Sequence, residues 1–259
     1  MTNSLDFEWI NIPAGTFLMG IPEEKSLEMC TKYNSKIFLT YSPLKEVHVE
    51  TFRISAYPVT NAQFKSFVDS TGYSAGAWML GFSEEKLNHP VRYINLYDAL
   101  AFCHWANCRL PTHIEWEKAA RGLTGLEYPW GNTWDHNYSN NNEANKVPST
   151  MPVTSFPQGK SPYGLFDMAG NVWEWTSSTV VANRTTAVWW ALNNPKWSLP
   201  QKQENVDGYD YVYPQFREWH VLKGGGADSN RLGMHCAFHL TGYRPNVQGD
   251  FFGFRCVML

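Results

Sequence analysis

Apolar and polar positions alternate with the period of an α-helix near the end of the first quarter of the chain. Residues 61–70 place Phe64 and Phe67 on one face, and Thr60 or Asn61 provides a polar N-cap. This pattern predicts an amphipathic helix.

Two further helices are indicated by their first residues. Residues 96–105 follow Asn95, which can cap them, and residues 113–121 follow Thr112. Glu115 lies three positions after Thr112, so this pair can form a capping box. The pattern predicts two to three helices in all.

Strand patterns are short and scattered. They cover residues 47–52, 220–223 and 253–258. The rest of the chain is rich in Gly, Pro, Asn and Ser, which favours long ordered loops. Such a loop content is unusual for a compact domain, and it needs an explanation beyond periodicity.

Composition limits the classes of function. A chain of 259 residues can bury a sizeable core as one domain, 1–259. The net charge is −3 and there is no basic stripe, so we expect neither a nucleic-acid partner nor a membrane-surface partner. No apolar run reaches the roughly 18–20 residues of a membrane helix. The first residues do not resemble a secretory signal, and we expect a cytoplasmic protein.

Residues 163–176 (YGLFDMAGNVWEWT) carry the densest group of special residues. Gly164 and Gly170 mark tight turns. Asp167 and Glu174 could converge with turn carbonyls on a hard cation such as calcium. The alternative is a buried aromatic turn with solvated carboxylates.

This segment and six others occur in the order typical of one family. The others are residues 12–20 (IPAGTFLMG), 57–64 (YPVTNAQF), 109–117 (RLPTHIEWE), 128–132 (YPWGN), 224–225 (GG) and 253–256 (GFRC). Together they resemble the formylglycine-generating enzyme family, also called the sulfatase-modifying factor domain. The resemblance implies an α+β, C-type-lectin-like fold that is rich in loops and has few short strands.

The resemblance also implies calcium ligands. In the better-preserved site the side chains of Asp167 and Glu174 and the carbonyls of Gly170 and Val172 match the family. A second, weaker site would use Asn140, Asn141, Asn145 and Val147, and its Asn145 stands where an Asp is expected. We therefore expect structural calcium.

Copper is not expected, because the chain departs from the family's copper oxidases after Gly225. Those enzymes have Gly-Gly-Ser and then two cysteines five residues apart, which bind Cu(I). Here Gly226 replaces the serine, Ser229 falls at the first cysteine, and the shorter loop removes the second. Formylglycine generation is accordingly not expected.

The sequence gives further expectations for three cysteines, Cys103, Cys236 and Cys256. By resemblance, Cys103 and Cys256 occupy positions that are disulfide-bonded in secreted relatives, and we expect two neighbouring buried thiols. Cys236 lacks its family partner and is expected to pack as a small hydrophobe.

The family's cleft floor suggests the candidate catalytic residues, which are Trp173, Asp228, Ser229, Arg231, His235 and His239. His235 and His239 could bind a metal if His220 or Asp228 joined them. Otherwise they are cleft histidines that satisfy loop carbonyls. The aromatic-rich insertion at about residues 179–218 either walls the cleft or packs as a lid.

Two functions follow from these patterns. The first is an oxidoreductase acting on a small metabolite or peptide in an aromatic cleft, with an unknown redox metal. The second is a non-catalytic C-type-lectin-like binding module, as in retroelement-diversified variable proteins. Oligomeric state is left open by the sequence.

Overall fold

The computed structural model describes residues 6–34, 38, 41, 43–144, 147–179 and 220–259. These residues contain ten short strands and four α-helices. The helices are α1 (Glu23–Tyr33), α2 (Asn61–Thr71), α3 (Leu96–Trp105) and α4 (His113–Arg121). The strands are β1 (Trp9–Ile12), β2 (Gly15–Met19), β3 (Lys45–Val49), β4 (Phe52–Ser55), β5 (Cys108–Arg109), β6 (Trp173–Thr179), β7 (His220–Lys223), β8 (His239–Tyr243), β9 (Phe252–Gly253) and β10 (Val257–Met258).

The three predicted helices are confirmed, and all three begin with a capping box. Thr60, Asn95 and Thr112 each accept a hydrogen bond from the backbone N–H three residues later. The side chain of that third residue in turn accepts from the N–H of the cap. Two backbone donors at each helix start are thereby satisfied by local side chains.

The expectation of two to three helices is corrected by α1. This helix has Pro22 at its N-cap position, with no side-chain hydrogen bond to signal its start. Its inner face has helical spacing, because Ser26 and Met29 are buried and Cys30 and Tyr33 pack partly buried beside Met29. This face is a weak signal in the sequence, since Ser26 is polar and Pro22 offers no capping side chain.

Three separate sheets are formed, with strand orders β1-β4-β10-β5, β2-β3 and β8-β7-β6-β9. The predicted strand at residues 47–52 is divided between β3 and β4, which belong to different sheets. The predicted strand at 253–258 is likewise divided between β9 and β10. The prediction for residues 220–223 matches β7. None of the helices in the described ranges has the length and apolar content needed to span a membrane.

Aromatic rings fill the larger core cluster. Phe64 stacks on Phe102 with ring centroids 5.8 Å apart, and the ring of Phe254 meets Phe102 edge-on at 5.3 Å. Trp175 is fully buried and donates its indole N–H to the carbonyl of Ile94 at 2.8 Å. Aromatic packing therefore joins α2, α3, the C-terminal segment and β6.

Buried cations of α4 hold the loops. Lys118 donates to the carbonyls of Pro13 and Gly15 at 2.7 and 2.9 Å. Arg121 donates to the carbonyl of Gly20 at 2.6 Å and to Glu117 at 2.8 Å. Pro13 and Gly20 lie in loops and Gly15 begins β2, so these bonds tie α4 to the backbone on both sides of that strand.

Candidate functional site

The β6–β7 hairpin and the loop that follows it form one wall of a cleft. Trp173 is the first residue of β6, and the loop after β7 returns past it. Lys223, the last residue of β7, donates to the carbonyl of Cys236 at 2.7 Å and to Glu117 at 3.0 Å. Lys223 therefore joins the two ends of the 224–236 loop, with its charge balanced by Glu117.

A cavity of about 340 Å³ opens between this loop and the aromatic side chains around it. Its apolar wall consists of Tyr33, Phe38, Trp173, Leu232, Phe238 and Leu240. Its polar edge consists of Asn142, Asp228, Ser229 and Asn230, and Gly233 completes the lining. Mostly apolar walls with a few polar groups on one side are typical of small-molecule sites.

Asp228 is the carboxylate at this edge. Burial raises its pKa above the ordinary value, against the lowering effect of hydrogen bonds from the backbone and Ser229. The Ser229 hydroxyl donates to Asp228 Oδ1 at 3.3 Å and accepts from the N–H of Gly226 at 3.1 Å. Asn142 donates its amide to the Asp228 carbonyl at 2.7 Å. Asp228 is thus held by Ser229 at its carboxylate and by Asn142 at its backbone carbonyl, and it can exchange a proton with a bound ligand.

Gly226, for which the resemblance implies a serine in the copper oxidases, has no space for a side chain. A Cβ on Gly226 would lie 2.8 Å from Asp228 Oδ1, 2.8 Å from Phe251 Cβ and 3.1 Å from Trp173 Cδ1. Glycine is therefore required here for close approach.

The cleft brings together three of the six predicted catalytic residues: Trp173, Asp228 and Ser229. Arg231 does not line it and instead forms an ion pair with Glu143 at 2.8 Å. The ring of His235 is hydrogen-bonded to the hydroxyl of Tyr128 at 3.0 Å.

His239 also lies outside the cleft lining. Its Nδ1 is 3.4 Å from the carbonyl of Ala237, and its ring meets the ring of Tyr41 edge-on. Burial lowers the pKa of His235 to about 4 and that of His239 to about 3. Both rings are therefore neutral near pH 7, in agreement with histidines that satisfy loop groups.

The aromatic insertion at about 179–218 lies outside the described residues, apart from Thr179. Thr179 pairs with His220, whereas Glu174 pairs with Lys223 beside Trp173. Thr179 and His220 therefore lie at the end of the β6–β7 pair that is farther from Trp173.

The better-preserved calcium position contains an unsatisfied carboxylate oxygen. Asp167 is buried, has a backbone φ of 54°, and its Oδ2 has no hydrogen-bond partner. Burial raises its pKa to about 7, although the nearby Arg255 opposes this. An unpartnered buried oxygen fits a cation ligand, because a bound cation would supply the missing partner.

Glu174, the second carboxylate of that position, is already paired. Arg255 donates to both of its oxygens, at 2.6 and 2.8 Å, and Trp116 donates its indole N–H at 2.7 Å. The Gly170 carbonyl accepts from the N–H of Val172 at 2.9 Å. Glu174 and Gly170 are therefore close to Asp167 in sequence. The negative charge of Glu174, however, is already compensated by Arg255.

The weaker calcium position is only partly described. Asn140 and Asn141 are fully buried; Asn140 donates to the carbonyl of Ser149, while the Oδ1 of Asn141 accepts two backbone N–H groups. Val147 is 83% exposed. Asn145 lies outside the described residues. The structure thus shows a hydrogen-bonded Asn loop at the first two positions.

Expectations for the cysteines agree with the geometry. Cys103 and Cys256 are neighbouring and buried, with their Sγ atoms 3.9 Å apart. Cys236 is fully buried in a separate core cluster that contains Trp116 and Met168, and burial raises its pKa to about 12.

Sequence reasoning missed several residues of the cleft. Tyr33 is the last residue of α1, and Phe38 follows that helix. The sequence pattern did not predict α1. Asn142 belongs to a segment that we interpreted as a polar loop. Its only sequence signal was its position beside the candidate calcium residues Asn140 and Asn141.

Comparison with known proteins gives the same family. The model of the sulfatase-modifying factor enzyme 1-like domain matches residues 3–259. A formylglycine-generating enzyme of Thermomonospora curvata is 30% identical, with 95% of this chain and 92% of the relative covered. An inactive C-alpha-formylglycine-generating enzyme 2 of Mus musculus is 32% identical over 66% of this chain and 68% of the relative.

A hercynine oxygenase of Mycolicibacterium smegmatis is 31% identical, with 82% of this chain and 54% of the relative covered. Among solved structures, variable protein 1 of Treponema denticola has a TM-score of 0.70 at 20% identity, covering 100% of this chain and 97% of its own. That likeness concerns the fold alone. The chain belongs to the formylglycine-generating enzyme (sulfatase-modifying factor) family.

Proposed function

We propose that this protein is an oxidoreductase of the formylglycine-generating enzyme family that binds a small substrate in the Trp173–Asp228 cleft. The proposal is carried by one observation, the cavity of about 340 Å³ with an aromatic wall and a carboxylate at its edge. A concave site of this kind favours a small ligand over a flat protein partner. The similarity to a hercynine oxygenase supports small-molecule chemistry on this scaffold.

The lining favours a ligand with an apolar part and a neutral or cationic polar group. Among the described lining residues Asp228 is the carboxylate, and none is a lysine or arginine. Aromatic faces such as that of Trp173 attract cations, and Asp228 adds a full negative charge when ionised. An anionic substrate would be repelled by Asp228, and no cationic side chain among the described lining residues would offset that repulsion.

In this proposal Asp228 exchanges a proton with the substrate. The side chain is exposed at the edge of the cleft, and its partial desolvation raises the pKa of the carboxyl above the ordinary value, which favours proton uptake. Ser229 and Asn142 position it, and Trp173 orients the ligand. The copper pair of the family is not used. Oxygen is the electron acceptor in this proposal, and metal analysis of protein purified without added metals tests for a redox metal.

Replacement of Asp228 tests the proposal. Asp228→Asn keeps the size of the side chain and removes the charge, so affinity for amine-bearing ligands should fall on the order of ten- to hundredfold. Oxygen uptake with those ligands should be lost. Asp250→Asn is the matched control, because Asp250 is close enough to influence the pKa of Asp228 but does not line the cavity.

Calorimetry and an oxygen electrode provide the two measurements. Equal losses in both variants would show a general charge effect and contradict a role for the cleft carboxylate. Unchanged binding and oxygen uptake in Asp228→Asn would remove Asp228 from the site.

A non-catalytic binding module is the second candidate. The described lining contains no histidine or cysteine, and one relative is named as an inactive enzyme. In that case Asp228→Asn weakens binding, while the wild-type protein consumes no oxygen with any ligand that it binds.

We further propose that structural calcium binds at Asp167. The unpartnered Oδ2 supports this, and the Gly170 and Val172 carbonyls would add ligands. Glu174 would join the ligand set by sharing its carboxylate between the ion and Arg255. Bound calcium would stabilise the turn that leads into β6 and Trp173. Asn140, Asn141, Asn145 and Val147 would form the second calcium site.

A further inference from the structure

Three cysteines converge in the larger core cluster. Cys103 lies in α3, Cys108 begins β5, and Cys256 precedes β10. Their Sγ atoms all lie within 4.8 Å of one another, and those of Cys103 and Cys256 are 3.9 Å apart. All three are at most 5% exposed. The third thiol, Cys108, turns a pair into a three-donor cluster.

Backbone pairing sets the positions of these sulfurs. Met258 of β10 pairs with Cys108 of β5, which brings the adjacent C-terminal segment to α3. The Cys256 carbonyl accepts from the N–H of Ser55 at 2.8 Å, and the Cys256 N–H donates to Ser55 Oγ at 3.2 Å. The cluster is therefore built by the sheet rather than by mobile side chains.

The sulfur spacing matches metal coordination. With metal–sulfur bonds of about 2.3 Å, three sulfurs around one ion stand about 4.0 Å apart, and two in line stand about 4.6 Å apart. The Cys103–Cys256 separation of 3.9 Å is close to the value for three sulfurs around one ion, and the three sulfurs all lie within 4.8 Å of one another. A disulfide uses two sulfurs at about 2.05 Å and leaves the third without a role.

Donor type and number select the ion. The cluster offers sulfur alone, which suits soft ions such as Cu(I), and structural zinc takes four ligands instead of three. Cysteine thiols lose their protons when they bind a metal, and among the described residues no histidine or carboxylate joins the three sulfurs.

We infer that Cys103, Cys108 and Cys256 form a binding site for monovalent copper. Asn107 is exposed and Arg109 is half-buried, so Cys108 lies close to the surface and gives the ion a route of entry. The site is separate from the loop after Gly225, where the copper cysteines of the family would stand. It is also independent of the function proposed for the cleft.

Anaerobic competition with a chromophoric Cu(I) chelator tests this site. Reduced wild-type protein should remove one Cu(I) per chain and develop an ultraviolet thiolate-to-copper absorption band. Cys108→Ala should lower the affinity at least tenfold and reduce the band. Cys30→Ala is the matched control and should retain both, because Cys30 lies outside the cluster.

Cys108→Val is a second variant that keeps an apolar side chain, and thermal unfolding verifies that each variant is folded. The inference is overturned if folded Cys108→Ala or Cys108→Val binds Cu(I) as tightly as wild type. It is also overturned if reduced wild type fails to compete with the chelator, or if Cys30→Ala loses the ion as well.

Discussion

Removal of Arg255 provides the most direct test of the packing that supports the site. Arg255 and Glu174 are both fully buried, and the guanidinium donates to both carboxylate oxygens at 2.6 and 2.8 Å. Arg255→Met leaves the Glu174 charge buried with Trp116 as its remaining side-chain donor. Loss of one partner of a buried pair costs about 3–5 kcal/mol of unfolding free energy.

The corresponding change in melting temperature follows from chain length. At about 2.1 cal/mol/K per residue, unfolding of 259 residues has an entropy of roughly 540 cal/mol/K. A loss of about 4 kcal/mol therefore lowers Tm by roughly 7 °C. Differential scanning calorimetry measures Tm, and urea titration measures the free energy of unfolding.

A surface ion pair of equal length is the control. Lys65 and Asp69 are also 2.6 Å apart, but their side chains are 34% and 60% exposed. Lys65→Met should lower the free energy of unfolding much less than Arg255→Met, because water screens the exposed pair. If Arg255→Met costs no more than Lys65→Met, burial does not determine the strength of the Arg255–Glu174 interaction, and our reasoning is refuted.

Two further predictions concern the turn before β6. Gly170 and Gly164 have φ values of +91° and +89°, but a Cβ at Gly170 would lie 2.3 Å from the carbonyl oxygen of Asn140, whereas Gly164 has no atom within 4 Å. Urea titration should show a loss of about 1–2 kcal/mol for Gly164→Ala and a larger loss for Gly170→Ala; equal losses would contradict the clash. Burial raises the pKa of Asp167 to about 7 from 3.8, so the folded calcium-free protein binds this proton more tightly than the unfolded chain, and stability should fall by about 4 kcal/mol as pH rises from about 4 to about 7. Calcium should remove this decline relative to EDTA, and Asp167→Asn should remove it in both; an Asp167→Asn profile that matches wild type would contradict the assignment.

Local chemistry made three helices predictable. Thr60, Asn95 and Thr112 each bond to a residue three positions later, so the signal for a helix start lies within one turn of chain. The motif around Gly170 was also visible, because its glycines and carboxylates are adjacent in sequence. Helix α1 escaped prediction because its cap, Pro22, forms no side-chain bond.

The strands and the cleft depended on partners far away in sequence. Residues 253–258 read as one strand, yet their two ends pair with β6 and with β4 and β5. Tyr33 and Phe38 reach the cleft beside Trp173, and only tertiary packing brings these segments together. The pattern of apolar and polar residues within one segment does not specify which strand it pairs with, because the stabilising side-chain contacts are made with residues of the other strand.

The sequence by itself determined the family, three helix starts, the turn that carries Asp167, and Trp173, Asp228 and Ser229 as neighbours of one cleft. Tertiary structure alone decided that His235 and His239 lie outside the cleft lining and that Cys108 joins the other two thiols. The physical reason is range. Caps and turns are stabilised by atoms a few residues apart, whereas a cavity or a sulfur cluster exists only where the folded backbone brings distant segments into contact.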